Sequence, residues 1–525
     1  MKLTTLSVWA CVASAQLPYD RILHSEREPG NWLTYSGNYR SHHYSPLAQI
    51  NRANVARLKP AWIYQIRGRE HFETMPLVFD GVMYITDPPS DVTALDLRTG
   101  RPLWHYRRAI PDGIAVCCGQ VNRGVAALDD QIFVATIDNH VVALDAKTGR
   151  VRWDIEIADR KLAYSLTAAP LALRDKIIVG MAGAEYGVRG FLDAYDAKTG
   201  KRLWRFWGTP GPGELGSETW SGDSWKNGGA TTWVTGSFDP ELNLVYWGTG
   251  NPGPDYDGSV RLGDNLYSDC VIALDADTGK LKWHFQFTPH DVNDMDSNQI
   301  PVLVDANWNG RPRKLMLFAN RNAFYYVLDR ATGEFLKATQ FTRQNWAKSI
   351  DAKGRPVPDL EQTTPSVKGA LVYPDDDGTS NWFSPSYSPQ TGLFYQNVRE
   401  KGAFYYKADT KYQPGRMYLG ATKRDLPNEE PRGSLKALRA LTGEKVWEFR
   451  MHTPPWGGVL ATAGGLVFSG TMEGDFFALD ATSGKLLWRF QTGGEVWSNP
   501  ISYSSEGKQY VALAAGSAMM VFAIE

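Results

Sequence analysis

Four short segments gather carboxylates, amides and a guanidinium, two of them among glycines, where the backbone can wrap closely around a ligand. Glu185 interrupts the run Gly180-Met181-Ala182-Gly183-Ala184-Glu185-Tyr186-Gly187-Val188-Arg189-Gly190, and Asn251 sits in Gly248-Thr249-Gly250-Asn251-Pro252-Gly253. Asp291, Asp294 and Asp296 follow one another in Thr288-Pro289-His290-Asp291-Val292-Asn293-Asp294-Met295-Asp296, and Arg321 stands in Ala319-Asn320-Arg321-Asn322-Ala323. Oxygen ligands of this kind suit a hard cation, and no Cys/His cluster with zinc-like spacing competes. Each segment also has a plainer reading. Glu or Asn beside glycine is more often a turn former, aspartates cap turns or pair with arginines, and His290 alone reads as structural.

The cysteines are Cys11, Cys117, Cys118 and Cys270. Cys11 belongs to a segment that reads as a short secretory signal: Lys2, an apolar run from Leu3 to Val12, then Ala13-Ser14-Ala15, with cleavage before Gln16. Export puts the remaining three in an oxidising compartment. Cys270 lies in a strand-like run and reads as an inert core thiol. Cys117 and Cys118 either pair with each other, closing a strained ring of the kind kept at functional sites, or one of them pairs with Cys270 and leaves the other free. No Cys-x-x-Cys-His occurs, so no c-type haem is attached covalently.

Residues that act together from positions so far apart need a scaffold, and a repeat supplies it. The frame Ala143-Leu144-Asp145-Ala146-Lys147-Thr148-Gly149-Arg150-Val151-Arg152-Trp153 recurs from 94, 194, 273, 437 and 478, with a worn copy at 327–333 where Lys337 takes the Trp position. Six of the 19 tryptophans fall on that one position, so they serve the repeat. Each copy reads as two strands around a tight turn, with Asp accepting from turn amides and the Thr hydroxyl, Gly at positive φ, and Trp docking one unit on the next. The shorter spacings, roughly 40–50 residues, suit one propeller blade each, with insertions on one rim. An eight-bladed, all-β propeller spanning residues 16–525 is expected, the 327–437 interval leaving room for an unmarked blade.

Length alone would suggest about three or four domains, but stacked repeats make one continuous unit. A formal net charge of −1 and a pI near 6.8 favour neither nucleic acid nor an anionic membrane surface. No apolar run reaches the roughly 18 residues of a membrane span. Residues 16–60 read as an irregular lead-in with a partial strand at 31–37. Long rim loops are expected at 106–123, 205–232, 251–268 and 284–300. The polar, Pro-punctuated stretch near 341–381 reads as a lid or a mobile loop. A last strand near Tyr510–Leu513 is expected to close the ring against N-terminal segments.

In order along the chain, the repeats, Cys117-Cys118 with Val121-Asn122-Arg123-Gly124, the Gly183–Gly190 passage, Gly248–Pro252, Pro289–Asp296, Asn320-Arg321-Asn322 and Thr453-Pro454-Pro455-Trp456-Gly457-Gly458 together resemble a quinoprotein alcohol dehydrogenase. The likeness is to the soluble methanol/ethanol type that binds pyrroloquinoline quinone (PQQ). It implies a disulfide between Cys117 and Cys118 over one face of the quinone and Trp233 on the other. Glu73, Arg123, Thr167, Gly183, Ala184, Arg321, Asn381 and Trp456 match positions that hold the cofactor's carboxylates and carbonyls.

The resemblance further implies that Glu185, Asn251 and Asp294 ligate a metal that polarises the quinone C5 carbonyl. Asp294 is the base for the hydroxyl proton while the carbinol hydride passes to C5, and Arg321 stabilises charge on the quinone oxygen. Asp296, two residues after the base, marks members that use lanthanides, and its added negative charge favours a trivalent ion; Ca2+ is the alternative, as is an Asp296 that merely binds a backbone amide. Asn293 and Ala182 depart from the family's usual aromatic and Ser. The implied protein is a periplasmic enzyme oxidising primary alcohols and passing electrons to a separate cytochrome c, with a homodimer allowed. Other expectations held beside it are a quinoprotein acting on a sugar, polyol or aldehyde, and a non-enzymatic propeller scaffold.

Overall fold

The computed structural model describes residues 16–68 and 70–525, so the expected signal at 1–15 lies outside the described residues. Among the described residues, eight sheets hold four or five strands each, and two smaller sheets hold two and three. A representative sheet runs Ala126–Leu128, Gln131–Ala135, His140–Asp145 and Val151–Glu156, each strand antiparallel to the one before. Its first two strands are buried throughout and its last is mostly exposed. Apolar runs therefore form the inner strands, covered on both faces by neighbouring sheets, and the Trp-bearing strand is the charged outer edge that resists further pairing.

The repeated turn forms as its composition predicts. Asp145 Oδ1 accepts from the Thr148 amide at 2.9 Å and from its hydroxyl at 2.8 Å. The tryptophans link successive sheets through hydrogen bonds as well as area. The indole N–H donates to a carbonyl in the next turn along, Trp104 to Ala146 at 3.0 Å, Trp153 to Ala197 at 3.1 Å and Trp204 to Ala276 at 3.2 Å. Each ring also lies on the repeat glycine of that turn: a Cβ on Gly149, which has φ +69°, would stand 2.5 Å from Trp104. Positive φ and close approach thus select the same residue. The worn copy uses another contact, since the Tyr325 hydroxyl donates to Ala440 O at 2.7 Å where no Trp is present.

Three expectations change. The strand that meets the N-terminal segment is Ala518–Ile524, paired with Leu58–Gln65, while Lys508–Ala515 lies one strand inward. The sheet lacking a recognisable frame is this closing one and does not lie between 327 and 437. Its repeat is split between chain ends, yet Trp62 still donates to Leu97 O and Trp488 to Leu58 O. The stretch 341–381 carries a hairpin of Ala347–Ile350 with Pro356–Pro358, a short helix Leu360–Thr363, and a strand Ala370–Val372 paired to Ala403–Lys407. It is regular structure laid over the sheets. The lead-in holds a short helix, Tyr19–Leu23, a two-residue strand, Tyr44–Ser45, and bridges from Leu17 to Asp129 and from Trp32 to Val78.

Candidate cofactor and metal site

In an antiparallel meander the start of the first strand and the end of the second lie at the same edge of the sheet. The candidate residues sit at those two kinds of position. Glu73, Arg123, Thr167, Trp233, Asp296, Asn381 and Trp456 precede the first strands of their sheets, whereas Glu185, Asn251 and Arg321 follow second strands. Residues hundreds apart in sequence are thereby delivered to one end of the scaffold, around a cavity of ≈ 460 Å³.

Flat, apolar walls are present. Cys117 and Cys118 are joined by a disulfide, Cys270 is free and buried, and both the disulfide and Trp233 line the cavity. Arg123 lies between aromatic rings, 4.8 Å from the Trp382 centroid and 5.1 Å from that of Trp233. Its Nη2 is 2.8 Å from Glu73 Oε2, and Nη1 donates to Thr167 Oγ1 at 2.9 Å. Burial nevertheless pushes the Glu73 carboxyl up to about 7, against the pull of Arg123. Trp456 stacks on Trp497, and Trp497 on His71, at 5.4 and 3.8 Å between centroids. Gly183 permits the turn into Glu185: its φ is +124°, and a Cβ there would press on Ala163 O at 2.6 Å.

The polar side of the cavity is strongly acidic. Seven carboxylates line it against two guanidinium groups, those of Arg123 and Arg321. Asp296 is held from several directions: Oδ1 accepts from the Asn251 amide at 2.7 Å, Oδ2 accepts from Trp233 Nε1 at 3.2 Å, and Arg321 Nη2 lies 2.9 Å from Oδ2. The simpler alternative for Asp296, a backbone amide partner, is therefore realised while the carboxylate still faces the cavity. Arg321 Nη1 reaches Asp294 Oδ1 at 3.3 Å and donates to Asp376 O at 2.7 Å. Asp294 holds a left-handed backbone, φ +59°, which aims its side chain out of the loop path.

Burial first, then Asp296, drives the Glu185 carboxyl up to about 7, and burial raises Asp294 well above the carboxylate range despite Arg321. Glu185 Oε2 and both oxygens of Asp255 are buried without hydrogen-bond partners among the described residues. Unpaired, mutually repelling carboxylate oxygens are a poor core and a good cation cradle, because a multivalent ion supplies the missing counter-charge and ligand bonds. The donor set fits a hard cation, and the disulfide, the indoles and Arg123 fit a flat, carboxylate-bearing cofactor.

Comparison with known proteins agrees. Residues 32–342 match the family model described as PQQ, glucose/ethanol/alcohol dehydrogenase, beta-propeller domain. Over 97% of the chain, and 89% of the relative, the sequence is 38% identical to quinoprotein alcohol dehydrogenase PedH of Pseudomonas putida. This chain belongs to the quinoprotein alcohol dehydrogenase family. A lanthanide-dependent methanol dehydrogenase of Methylacidiphilum fumariolicum is also 38% identical, across 98% of this chain and 89% of its own. The structure of a europium-containing methanol dehydrogenase superposes with a TM-score of 0.91 at 34% identity, covering 96% of this chain and all of that one. Residues 431–523 separately match the model for outer membrane protein assembly factor BamB.

Within this quinoprotein frame, the candidate residues line the cavity with two exceptions. Ala184 and Asn251 are buried outside its lining, Asn251 touching the site through the hydrogen bond its backbone N–H donates to Asp296 Oδ1. Asn293 is buried outside the lining too, its Nδ2 donating to Thr363 O at 2.9 Å. Ala182 lines the wall without a polar group. Sequence reasoning missed Asp255, Asp376, Asp377, Trp382, Trp497 and His71, all at the cavity. Asp255 belongs to an expected rim loop, but only the fold turns it inward. The Asp375–Asp377 run lies in the segment expected to be a lid.

Proposed function

We propose that residues 16–525 form one eight-bladed propeller that works in the periplasm as a PQQ- and cation-dependent dehydrogenase, oxidising primary alcohols to aldehydes and delivering electrons to a separate cytochrome c. A lanthanide(III) is the preferred cation and Ca2+ the alternative. Eight sheets of four or five strands support the blade number. Relatives named as alcohol and methanol dehydrogenases, one of them "methanol dehydrogenase [cytochrome c] subunit 1" of Methylobacterium organophilum, support the reaction and the acceptor. Among the described residues no helix is long and apolar enough to cross a membrane.

One observation carries the reading: a disulfide of adjacent cysteines, the Trp233 indole and a set of buried carboxylates share a single cavity. When bound, PQQ supplies a two-electron acceptor and the cation supplies Lewis acidity. The chain's own residues do the rest. Cys117-Cys118 and Trp233 orient a flat ring and exclude water from its faces. Arg123, with Glu73 and Thr167, binds cofactor carboxylates, and Gly183, Ala184, Asn381 and Trp456 complete the enclosure. Glu185, Asn251, Asp294 and Asp296 hold the cation. Asp294 takes the proton of the substrate hydroxyl at its Oδ atoms, and Arg321 fixes Asp294 while offsetting charge that develops beside it.

The test is dye-linked oxidation by the purified mature chain with PQQ, in the presence of lanthanum, calcium or neither. Methanol, ethanol, longer alcohols, sugars and aldehydes serve as substrates, and cytochrome c replaces the dye in a second series. Turnover of alcohols requiring PQQ and lanthanum is expected. Turnover of sugars or aldehydes alone changes the substrate class, and absence of both PQQ binding and turnover defeats the enzyme reading. Light scattering on the same material decides between monomer and homodimer.

A further inference from the structure

Asp255 is 1% exposed, lines the cavity, and has no hydrogen-bond partner for either carboxylate oxygen among the described residues. Its loop holds it there rigidly. Next to it, the Tyr256 amide donates to Leu419 O at 2.8 Å and the Tyr256 hydroxyl to Asp376 Oδ2 at 2.8 Å. The neighbouring cation does not neutralise it. Arg261, itself fully buried, spends its guanidinium on Pro254 O at 2.9 Å, Asp255 O at 3.3 Å, Asp291 O at 2.5 Å and Asn265 Oδ1 at 2.9 Å. Those bonds tie the loop carrying Asp255 to the loop carrying Asp294 and Asp296. The charged groups that act most strongly on the Asp255 carboxyl are the like-charged Glu185 and Asp296, which line the same cavity. A carboxylate so placed is costly unless it meets a cation.

We infer that Asp255 is a further ligand of the cation, a fourth carboxylate beside Glu185, Asp294 and Asp296. The inference rests on the proposed cation site and deepens it: four carboxylates bias the site toward a trivalent ion more than three would, because attraction to each fixed charge scales with the charge of the ion.

The test uses the PQQ-reconstituted mature chain with europium(III) and, separately, calcium, read by equilibrium dialysis and by europium emission lifetimes in H2O and D2O. For Asp255→Asn, europium affinity is expected to fall about 10–100-fold, the scale seen for groups that tune a metal site. The calcium loss is expected to be smaller, and the europium-bound water count to rise by about one as water takes the vacated position. In the cation-free protein Asp255→Asn is expected to melt higher than wild type, since it removes buried repulsion; a purely structural Asp255 would melt lower on substitution. Asp255→Glu is expected to recover part of the europium affinity. Unchanged affinity and water count in Asp255→Asn, with binding lost in Glu185→Gln, would overturn the role of Asp255 and leave the cation site standing. A change confined to alcohol KM would overturn it in favour of substrate contact. No europium or calcium binding by wild type would overturn the cation site and the inference together.

Discussion

Arg321 Nη2 and Asp296 Oδ2 stand 2.9 Å apart, and both side chains are 5% exposed. A buried pair of this kind is held together only if its remaining lone pairs and protons are also satisfied. Here the Asn251 backbone amide and the Trp233 indole serve Asp296 and Asp376 O serves Arg321 Nη1, while Arg321 Nε is left without a partner among the described residues. The pair therefore links the wall formed by Trp233 to Asp294, the proposed base, and a change at Asp296 is felt by both.

In the proposed site the charge of Asp296 is expected to be the lever on metal preference. Asp296→Ala is expected to raise the half-saturating lanthanide concentration by about tenfold or more, with a smaller change for calcium. Metal titrations of dye-linked activity check this, and equal effects on the two ions would count against a lanthanide-selective role.

Removing the proposed base is expected to remove the chemistry. Asp294→Ala is expected to lower kcat by about 10²–10⁴-fold, the usual worth of a positioned proton acceptor. The circular dichroism spectrum and melting temperature should stay near wild type. Activity that survived would sink the assignment of Asp294.

The disulfide is expected to act on the proposed cofactor more than on the fold. A cross-link between adjacent residues closes almost no chain and so constrains the unfolded state little. Changing Cys117 and Cys118 to Ser together is expected to shift Tm by less than about 2 °C. PQQ affinity is expected to fall about three- to tenfold through lost face contact. Fluorescence titration and thermal melts separate the two.

Blade docking is a stability matter. Trp204 is 8% exposed and donates to Ala276 O, so Trp204→Ala should destabilise the fold by about 3–5 kcal/mol. Denaturant or thermal unfolding measures this, with KM unchanged because Trp204 is on the outer strand, away from the cavity.

Acid stability is linked to His43. The ring is fully buried, with Nε2 2.8 Å from Pro500 O, and burial lowers its pKa to about 4. The unfolded chain takes up the proton first, near pH 6.5, so stability is present above that pH and is lost as pH falls toward 4. The difference in unfolding free energy between wild type and His43→Gln should fall by about 3 kcal/mol from pH 7 to 4, given about 1.4 kcal/mol per pKa unit. A flat difference would mean that the folded ring protonates as easily as the unfolded one.

Local chemistry is enough to specify the repeated unit. Asp, Thr, Gly and Trp at fixed spacing define one turn and one docking contact, which need only neighbours in sequence and one adjoining sheet. Asp145, Gly149 and Trp153 behave as their types require. The same locality explains the misplaced unmarked unit. A sheet assembled from Leu58–Gln65 and the last three strands has no contiguous frame to read. Spacing alone leaves Glu185, Asn251, Asp294, Asp296 and Arg321 with plainer readings as turn formers and ion-pair partners, and it is the ordered set of motifs, through its family resemblance, that brings them forward as a group.

What only the tertiary structure decided is which atoms are left without partners. The sequence contains 57 acidic residues, and most aspartates find an arginine, an amide or water. Whether Asp255 does so depends on Arg261 being engaged by backbone carbonyls and on Tyr256 being pinned to Leu419 and Asp376, contacts that span up to 163 residues of chain. Closure of the ring sets those distances. A one-dimensional pattern carries the identity of a carboxylate, and its solvation, hence its chemistry, is fixed only when the chain has excluded water around it.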